Sequence, residues 1–190
     1  MDYTKQFFDL DSYSMKNTSA TRDILLQRLA SLGINAKTTD HPPLFTVEES
    51  RALRGEIPGA HTKNLFLKCK KGTLWLVVAL EEAVIDLKRV HTRIGSGRLS
   101  FGKPDLLLDV LGVPPGSVTP FALINDTQRR VSVVLDEAMM QHEILNFHPL
   151  ENTATTTISR DDLLTFIGDC GHEPMILAVS GEADQASMTP

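Results

Sequence analysis

The chain has 190 residues, 42% of them hydrophobic and 23% charged, a composition that fits one compact domain with a sizeable core. A formal net charge of −5 argues against a protein that coats nucleic acid through a global positive field, and two cysteines, Cys69 and Cys170, are too few and too far apart for a disulfide framework or a zinc site. The longest apolar run, Leu74 to Leu80, is far too short to cross a bilayer, and the first residues lack a basic segment leading into an apolar one, so a cytoplasmic protein without a membrane partner is expected.

Residues 1–18 are polar apart from Phe7, Phe8 and Leu10 and read as an N-terminal extension; 19–181 read as the domain and 182–190 as a C-terminal tail. Ile24, Leu25, Leu29 and Leu32 recur at helical spacing, which predicts a helix over 20–32 with Ser19 as its cap and Gly33 as its stop. An extended stretch follows over 35–40, and Thr46-Val47-Glu48-Glu49 has the capping-box form that opens a short helix ended by Gly55. After the Ile57-Pro58-Gly59 turn, apolar runs over 64–68 and 73–80 joined by Lys70-Lys71-Gly72 predict a hairpin whose second strand is buried on both faces. A short helix is expected over 86–93 and another from Pro104 to Leu111, with Gly112 just past its end. Phe121–Ile124 and Val131–Asp136 read as a second hairpin around Asn125-Asp126, followed by strands near 143–147 and 153–158. Ser159 caps a helix through Ile167, and Pro174 to Val179 is a last strand. Helices and strands are interspersed without regular βαβ alternation, so the expected class is α+β: a mixed, mostly antiparallel curved sheet of about seven strands surrounded by helices.

Charge is unevenly distributed. Nine Lys and Arg lie between Lys63 and Lys103 against three acids, on a chain that is acidic as a whole. A local basic sector suits the docking of one polyanion at one place, although charges also serve simply to solvate exposed faces.

Several familiar constellations are missing. Gly95-Ser96-Gly97 is not a nucleophile elbow, and there is neither a GxxxxGK[ST] phosphate loop nor an HExxH pair. The histidines at 41, 61, 91, 142, 148 and 172 include no i, i+4 pair, so neither a metal nor a cofactor is expected. Three segments remain. Lys63 precedes an apolar run just after the Pro58-Gly59 turn, where a rigid strand holds an amine near a loop mouth; taken locally, a strand-edge lysine that discourages aggregation is the stronger reading. Gly116-Ser117-Val118-Thr119-Pro120 offers unobstructed backbone N–H groups in a proline-fixed loop, which can bind an oxyanion or be a plain turn. His148, in Asn146-Phe147-His148-Pro149-Leu150, stands at a strand end, where site residues gather.

In order along the chain, His41-Pro42-Pro43, Lys63-Asn64-Leu65-Phe66-Leu67, Arg98-Leu99-Ser100-Phe101, Gly116-x-x-x-Pro120 and Asn146-Phe147-His148-Pro149-Leu150 followed by Asn152 and Thr153 form a set. Over Ala20 to Ser180 this set resembles the YbaK/ProX family of trans-editing aminoacyl-tRNA deacylases, related to the editing domain of bacterial prolyl-tRNA synthetase, and within it the ProX branch. The resemblance implies a hydrolase that removes alanine from wrongly charged proline tRNA, with Lys63 as the essential lysine and Asn64, Gly116 and His148 beside it in the catalytic group. Ile57, His61, Ser117, Pro120, Phe147, Asn152 and Thr153 are then expected to handle substrate, and Lys68, Lys70, Lys71, Arg98 and Lys103 the tRNA. The partners it implies are the acceptor end of a mischarged tRNA and prolyl-tRNA synthetase or translation factors. Cysteinyl-tRNA(Pro) or another small aminoacyl ester as substrate, or a noncatalytic tRNA-binding module of the same fold, stand as alternatives.

Overall fold

The computed structural model describes residues 19–43 and 57–181. The helix expected after Thr46, the N-terminal extension and the C-terminal tail lie outside the described residues. Helix α1 (Arg22–Ser31) is capped by Thr21, whose hydroxyl accepts from the Ile24 N–H, rather than by Ser19. It buries Leu25 and Leu29 and stops at Gly33, which has φ +72°. Strand β1 (Lys37–Asp40) follows. The expected hairpin is β2 (Ala60–Cys69) and β3 (Leu74–Leu80), paired antiparallel from Thr62↔Leu80 to Lys68↔Leu74. β3 is buried on both faces as its composition requires: Leu74, Leu76 and Val78 enter one core while Trp75 and Val77 enter the other.

Helix α2 (Leu87–Arg93) is capped by Asp86, and α3 (Pro104–Leu111) begins on its proline and ends at Gly112, φ +66°. Between them lies β4 (Leu99–Phe101), which local sequence did not announce. Strands β5 (Val131–Asp136), β6 (Ile144–Phe147) and β7 (Ala154–Ser159), helix α4 (Arg160–Asp169) with Ser159 at its cap, and β8 (Met175–Leu177) complete the chain. The second hairpin does not form. Pro120–Asn125 is a 3₁₀ helix, with Pro120 fixing the first turn, the Thr119 hydroxyl accepting from the Phe121 N–H, and Phe121, Ala122 and Leu123 all buried. Three consecutive buried side chains suit a tight helical turn between packed layers, and β5 pairs parallel with β3 instead.

The eight strands form one mixed sheet in the order β1-β7-β6-β2-β3-β5-β8, with β4 pairing β2 off that path. Four of its seven pairings are antiparallel and three parallel, so the mixed class is as expected and the antiparallel majority is narrow. The main core on one face takes Leu25 and Leu29 of α1, Leu107, Val110 and Leu111 of α3, and Leu163, Phe166 and Ile167 of α4. A smaller core on the other face joins Leu67, Trp75, Val77 and Val134 to Val90 of α2. Both cysteines are free; burial, helped by Asp169, pushes the Cys170 thiol up to about 12, leaving it inert near neutrality. Among the described residues, no helix is long and apolar enough to cross a membrane.

Candidate active site

One arrangement of strands gives this fold its opening. β2 is paired to β3 along most of its length, but its other edge is shared by two strands at opposite ends. β6 takes Ala60 and His61, and β4 takes Leu67 to Cys69. Among the described residues, no strand pairs with the intervening stretch on that edge, and Lys63 and Asn64 lie in it. Sequence reasoning set Lys63 at the head of a strand; in fact it is inside β2, opposite Ala79, because pairing with distant β6 extends the strand back to Ala60.

The entry to β2 is fixed by Asn146, a residue local sequence did not single out for a role. It is 3% exposed; its Nδ2 donates to the Pro58 carbonyl at 3.0 Å, and its Oδ1 accepts from the Thr157 hydroxyl at 2.7 Å. Its backbone carbonyl accepts from the Thr62 hydroxyl at 2.8 Å. Gly59 makes this approach possible. It has φ +102°, and a Cβ there would lie 2.7 Å from the Ile144 side chain and 3.0 Å from the Ile144 carbonyl. Gly59→Ala is therefore expected to destabilise the fold by ~1–3 kcal/mol, measured by urea denaturation, because both the backbone conformation and the packing oppose a side chain.

Side chains alternate along β2. Lys63 shares a face with Leu65 and Leu67, which belong to the smaller core, so its amine lies on the α2 side of the sheet. It is half-buried, and Nζ donates to the Ala83 carbonyl in the turn that follows β3. Asn64 shares the opposite face with Phe66 of the main core; its Oδ1 is buried without a hydrogen-bond partner among the described residues. A buried acceptor left open in this way is uncommon and marks a place where a ligand donor is welcome.

His148 follows β6. Its Nδ1 pairs with the Ala154 carbonyl at 3.1 Å, and its ring lies 6.5 Å from that of His41. Burial holds the imidazole below its ordinary pKa, with a smaller push from His41, against the Ala154 carbonyl and the negative charge of Glu81, which favour the proton. The ring is therefore neutral at physiological pH. Since the unfolded chain takes up a proton at about 6.5 and the folded chain only lower, stability should be fully present above pH 6.5 and fall as the pH drops through the depressed value. Melting temperatures of wild type and His148→Gln across pH 5–8 check this, the variant losing that part of the pH dependence.

The turn after His148 is strained. Leu150 has φ +70°, a left-handed conformation rare for a branched side chain, and its N–H donates to the His148 carbonyl at 3.0 Å. Asn152 and Thr153 are half-buried beyond it, and the Thr153 carbonyl accepts from the His41 N–H at 2.9 Å. His41 also pairs with Thr155 through Nε2 at 3.0 Å, so the loop between β6 and β7 is tied to the end of β1. His61, half-buried, lies on β2 opposite Asn146.

Other predicted positions are placed less directly. Gly116 has φ +90° with open space where a side chain would stand, and the Ser117 N–H donates to the Pro114 carbonyl at 3.1 Å, so Pro115-Gly116 is a turn with freely presented backbone. Ser117, Pro120 and Ile57 are buried. Phe147, expected to line a substrate cleft, lies in the main core, edge-on to Phe121 with ring centroids 5.8 Å apart. That contact links the glycine loop to His148; among the described residues no hydrogen bond joins the loop to Lys63 or His148.

The basic residues gather at the far end of β2. Lys68 lies opposite Ser100, and carrying the register one step further sets Arg98 beside Lys70, while Lys71 is in the adjoining turn and Lys103 follows β4. All five are exposed. Lys63 and Lys68 are five residues apart on one strand, or ~17 Å at ~3.3 Å per residue.

The profile of the aminoacyl-tRNA editing domain matches residues 41–166, a span that runs from His41 across β2 and the glycine loop into α4. The chain belongs to the aminoacyl-tRNA editing domain family. Among relatives in that family, a Bos taurus protein named prolyl-tRNA synthetase associated domain-containing protein 1 is 43% identical over 161 residues, covering 82% of this chain and 94% of its own. The prolyl-tRNA editing protein ProX of Acetoanaerobium sticklandii is 36% identical over 143 residues, covering 75% of this chain and 87% of its own. A crystal structure described as that of a proposed trans-editing enzyme for prolyl tRNA synthetase superposes with a TM-score of 0.63 at 20% identity, covering 83% of this chain and 97% of that one, a likeness of fold. The editing-domain profile thus takes in Lys63, Asn64, Gly116 and His148 together.

Proposed function

We propose that this chain hydrolyses the ester of mischarged tRNA, alanyl-tRNA(Pro) before others, and so clears proline tRNA of alanine in trans in the cytoplasm. The observation that carries the reading is Lys63, a half-buried amine at the unpaired edge of β2, between the anchored entry of that strand and its basic far end. An aminoacyl ester is already activated, so a site that positions it, stabilises the tetrahedral oxyanion and admits water suffices without a covalent nucleophile. Lys63 exchanges its Ala83 partner for an oxygen of the terminal adenosine's phosphate or ester. The ester straddles the open edge of β2, where the backbone at Gly116, whose loop packs on the main core, receives the carbonyl side. Asn64 and the neutral His148 ring orient substrate and water; water adds to the carbonyl carbon, the ester C–O bond breaks, and its proton ends on the departing ribose oxygen, a neighbouring ribose hydroxyl assisting.

Selection by size requires a small cavity that admits alanine's methyl and excludes proline's ring by overlap, with Ile57 and Leu150 as its expected lining. A missing methylene alone is worth only ~1–3 kcal/mol, which is why a synthetase's own choice needs a second sieve. Asn152 and Thr153 belong to the substrate side, and Lys68, Lys70, Lys71, Arg98 and Lys103 meet the tRNA, with prolyl-tRNA synthetase as the natural neighbour. The test is a deacylation panel of alanyl-, cysteinyl- and prolyl-tRNA(Pro): alanyl ester is expected to be lost fastest and prolyl ester spared. Faster loss of cysteine reassigns the substrate, and acceleration of none refutes the enzyme.

A further inference from the structure

A cavity of about 380 Å³ is lined by Leu87, Lys88, His91, Arg98 and Leu99. Three basic side chains from two separate elements meet there: Lys88 and His91 share one face of α2 at i, i+3, and Arg98 enters from the segment leading into β4. Among the described residues no carboxylate lines it. The nearest acid in sequence, Asp86, is engaged elsewhere, accepting from the Lys88 backbone N–H at 2.9 Å and lying 3.7 Å from Arg89. Among the described residues, the side chains of Lys88 and Arg98 have neither an ion pair nor a hydrogen bond, and the Nδ1 of His91 is buried without a partner. The two fixed like charges, Lys88 and Arg98, are not held beside one cavity for stability, since they repel each other and neither is compensated among the described residues.

We infer that this cavity is a phosphate-binding subsite for the RNA strand leading away from the acylated end, an inference that rests on the function proposed above. Its position supports this. Leu87 and Leu99 pack on the smaller core, as Leu65 and Leu67 do, so the cavity opens on the same side of the sheet as the Lys63 amine. Leu99 is paired with Cys69, six residues along β2 from Lys63 or ~20 Å. A stacked strand advances ~3.4 Å per nucleotide, so a backbone lying along β2 with its terminal adenosine at Lys63 brings a phosphate about six nucleotides inward to this cavity. Arg98 forks around the phosphate oxygens, Lys88 adds a point charge, and His91 gains a partner for a ring nitrogen that lacks one.

Kinetics and binding of the full-length protein test it, comparing wild type, Lys88→Ala and Lys37→Ala, which removes an exposed cation on β1. For acylated tRNA Lys88→Ala should raise KM by about fivefold with kcat little changed, and for the alanyl ester of adenosine alone, which has no inner phosphates, it should match wild type. With uncharged tRNA, the slope of log affinity against log salt should become shallower by about one for the lost phosphate contact, and Lys37→Ala should leave it unchanged. Equal KM and equal slopes for Lys88→Ala and Lys37→Ala overturn the subsite. If wild type hydrolyses no ester, the enzymatic reading fails by itself, and the salt slopes with uncharged tRNA still decide the subsite.

Discussion

Replacing Lys63 by alanine is expected to slow single-turnover hydrolysis of alanyl-tRNA(Pro) by about 10²–10³-fold, the scale of losing one preorganised donor at a developing charge. The fold should survive. β2 is held by its backbone pairing with β3 and by Phe66 and Leu67 in the two cores, none of which needs the amine. The one interaction lost is the hydrogen bond to the Ala83 carbonyl, and that half-exposed group can turn to water, so the stability cost should stay within about 1–2 kcal/mol. Lys63→Met keeps the stem without the charge and should be as inactive as alanine; substantial activity in either variant removes Lys63 from the chemistry. Melting curves run beside the kinetics separate loss of the donor from loss of the fold.

The second large effect concerns Asn146, which touches no substrate in this account and acts by positioning. Asn146→Ala strands the Pro58 carbonyl and the Thr157 hydroxyl, both facing a buried amide. Pro58 is exposed and Thr157 half-buried, so water can replace part of each lost bond, and a loss of about 2 kcal/mol in urea denaturation is expected. Activity should fall further than unfolding explains, because the released turn lets the entry to β2, and with it Lys63, shift. A displacement near 1 Å costs about 10²-fold when the chemistry depends on alignment. Asn146→Asp keeps the acceptor for Thr157 but not the donor to Pro58, so it should recover stability only in part while kcat stays low and KM stays near wild type. A stability loss with unchanged kcat in the remaining folded protein would make Asn146 purely structural.

How much of this was legible depends on the range of each interaction. Ser159, the Pro104 and Gly112 pair and the continuous run Leu74–Leu80 act locally, and each behaved as local chemistry requires. Phe121–Ile124 has the apolar content of a strand, yet Pro120 and the buried cap at Thr119 make it helical, and its supposed partner β5 pairs with β3. Leu99–Phe101 is a strand only because β2 offers it an edge. In the candidate site, Lys63, Gly116 and His148 stood out from their neighbourhoods, but ordinary roles fitted each, and the ordered set of motifs pointed further. Asn146 had no local signal, since its partners Pro58 and Thr157 lie on separate elements. Lys88 and His91 were hidden for the same reason: a pocket between α2 and the start of β4 needs β4 to exist. Phe147 misled because an aromatic residue beside a site residue looks like a cleft wall when alternation along β6 turns it into the core.

The claim that organises the rest is that the Lys63 amine meets the acylated end of the RNA. Its most direct test is a crystal structure with a stable analogue in which alanine is joined to the terminal adenosine by an amide in place of the ester. Nζ is expected to have left the Ala83 carbonyl and to lie ~2.7–3.2 Å from an oxygen of the bound nucleotide or its acyl linkage. An analogue seated in the protein with Nζ still on Ala83 and out of reach would contradict the account.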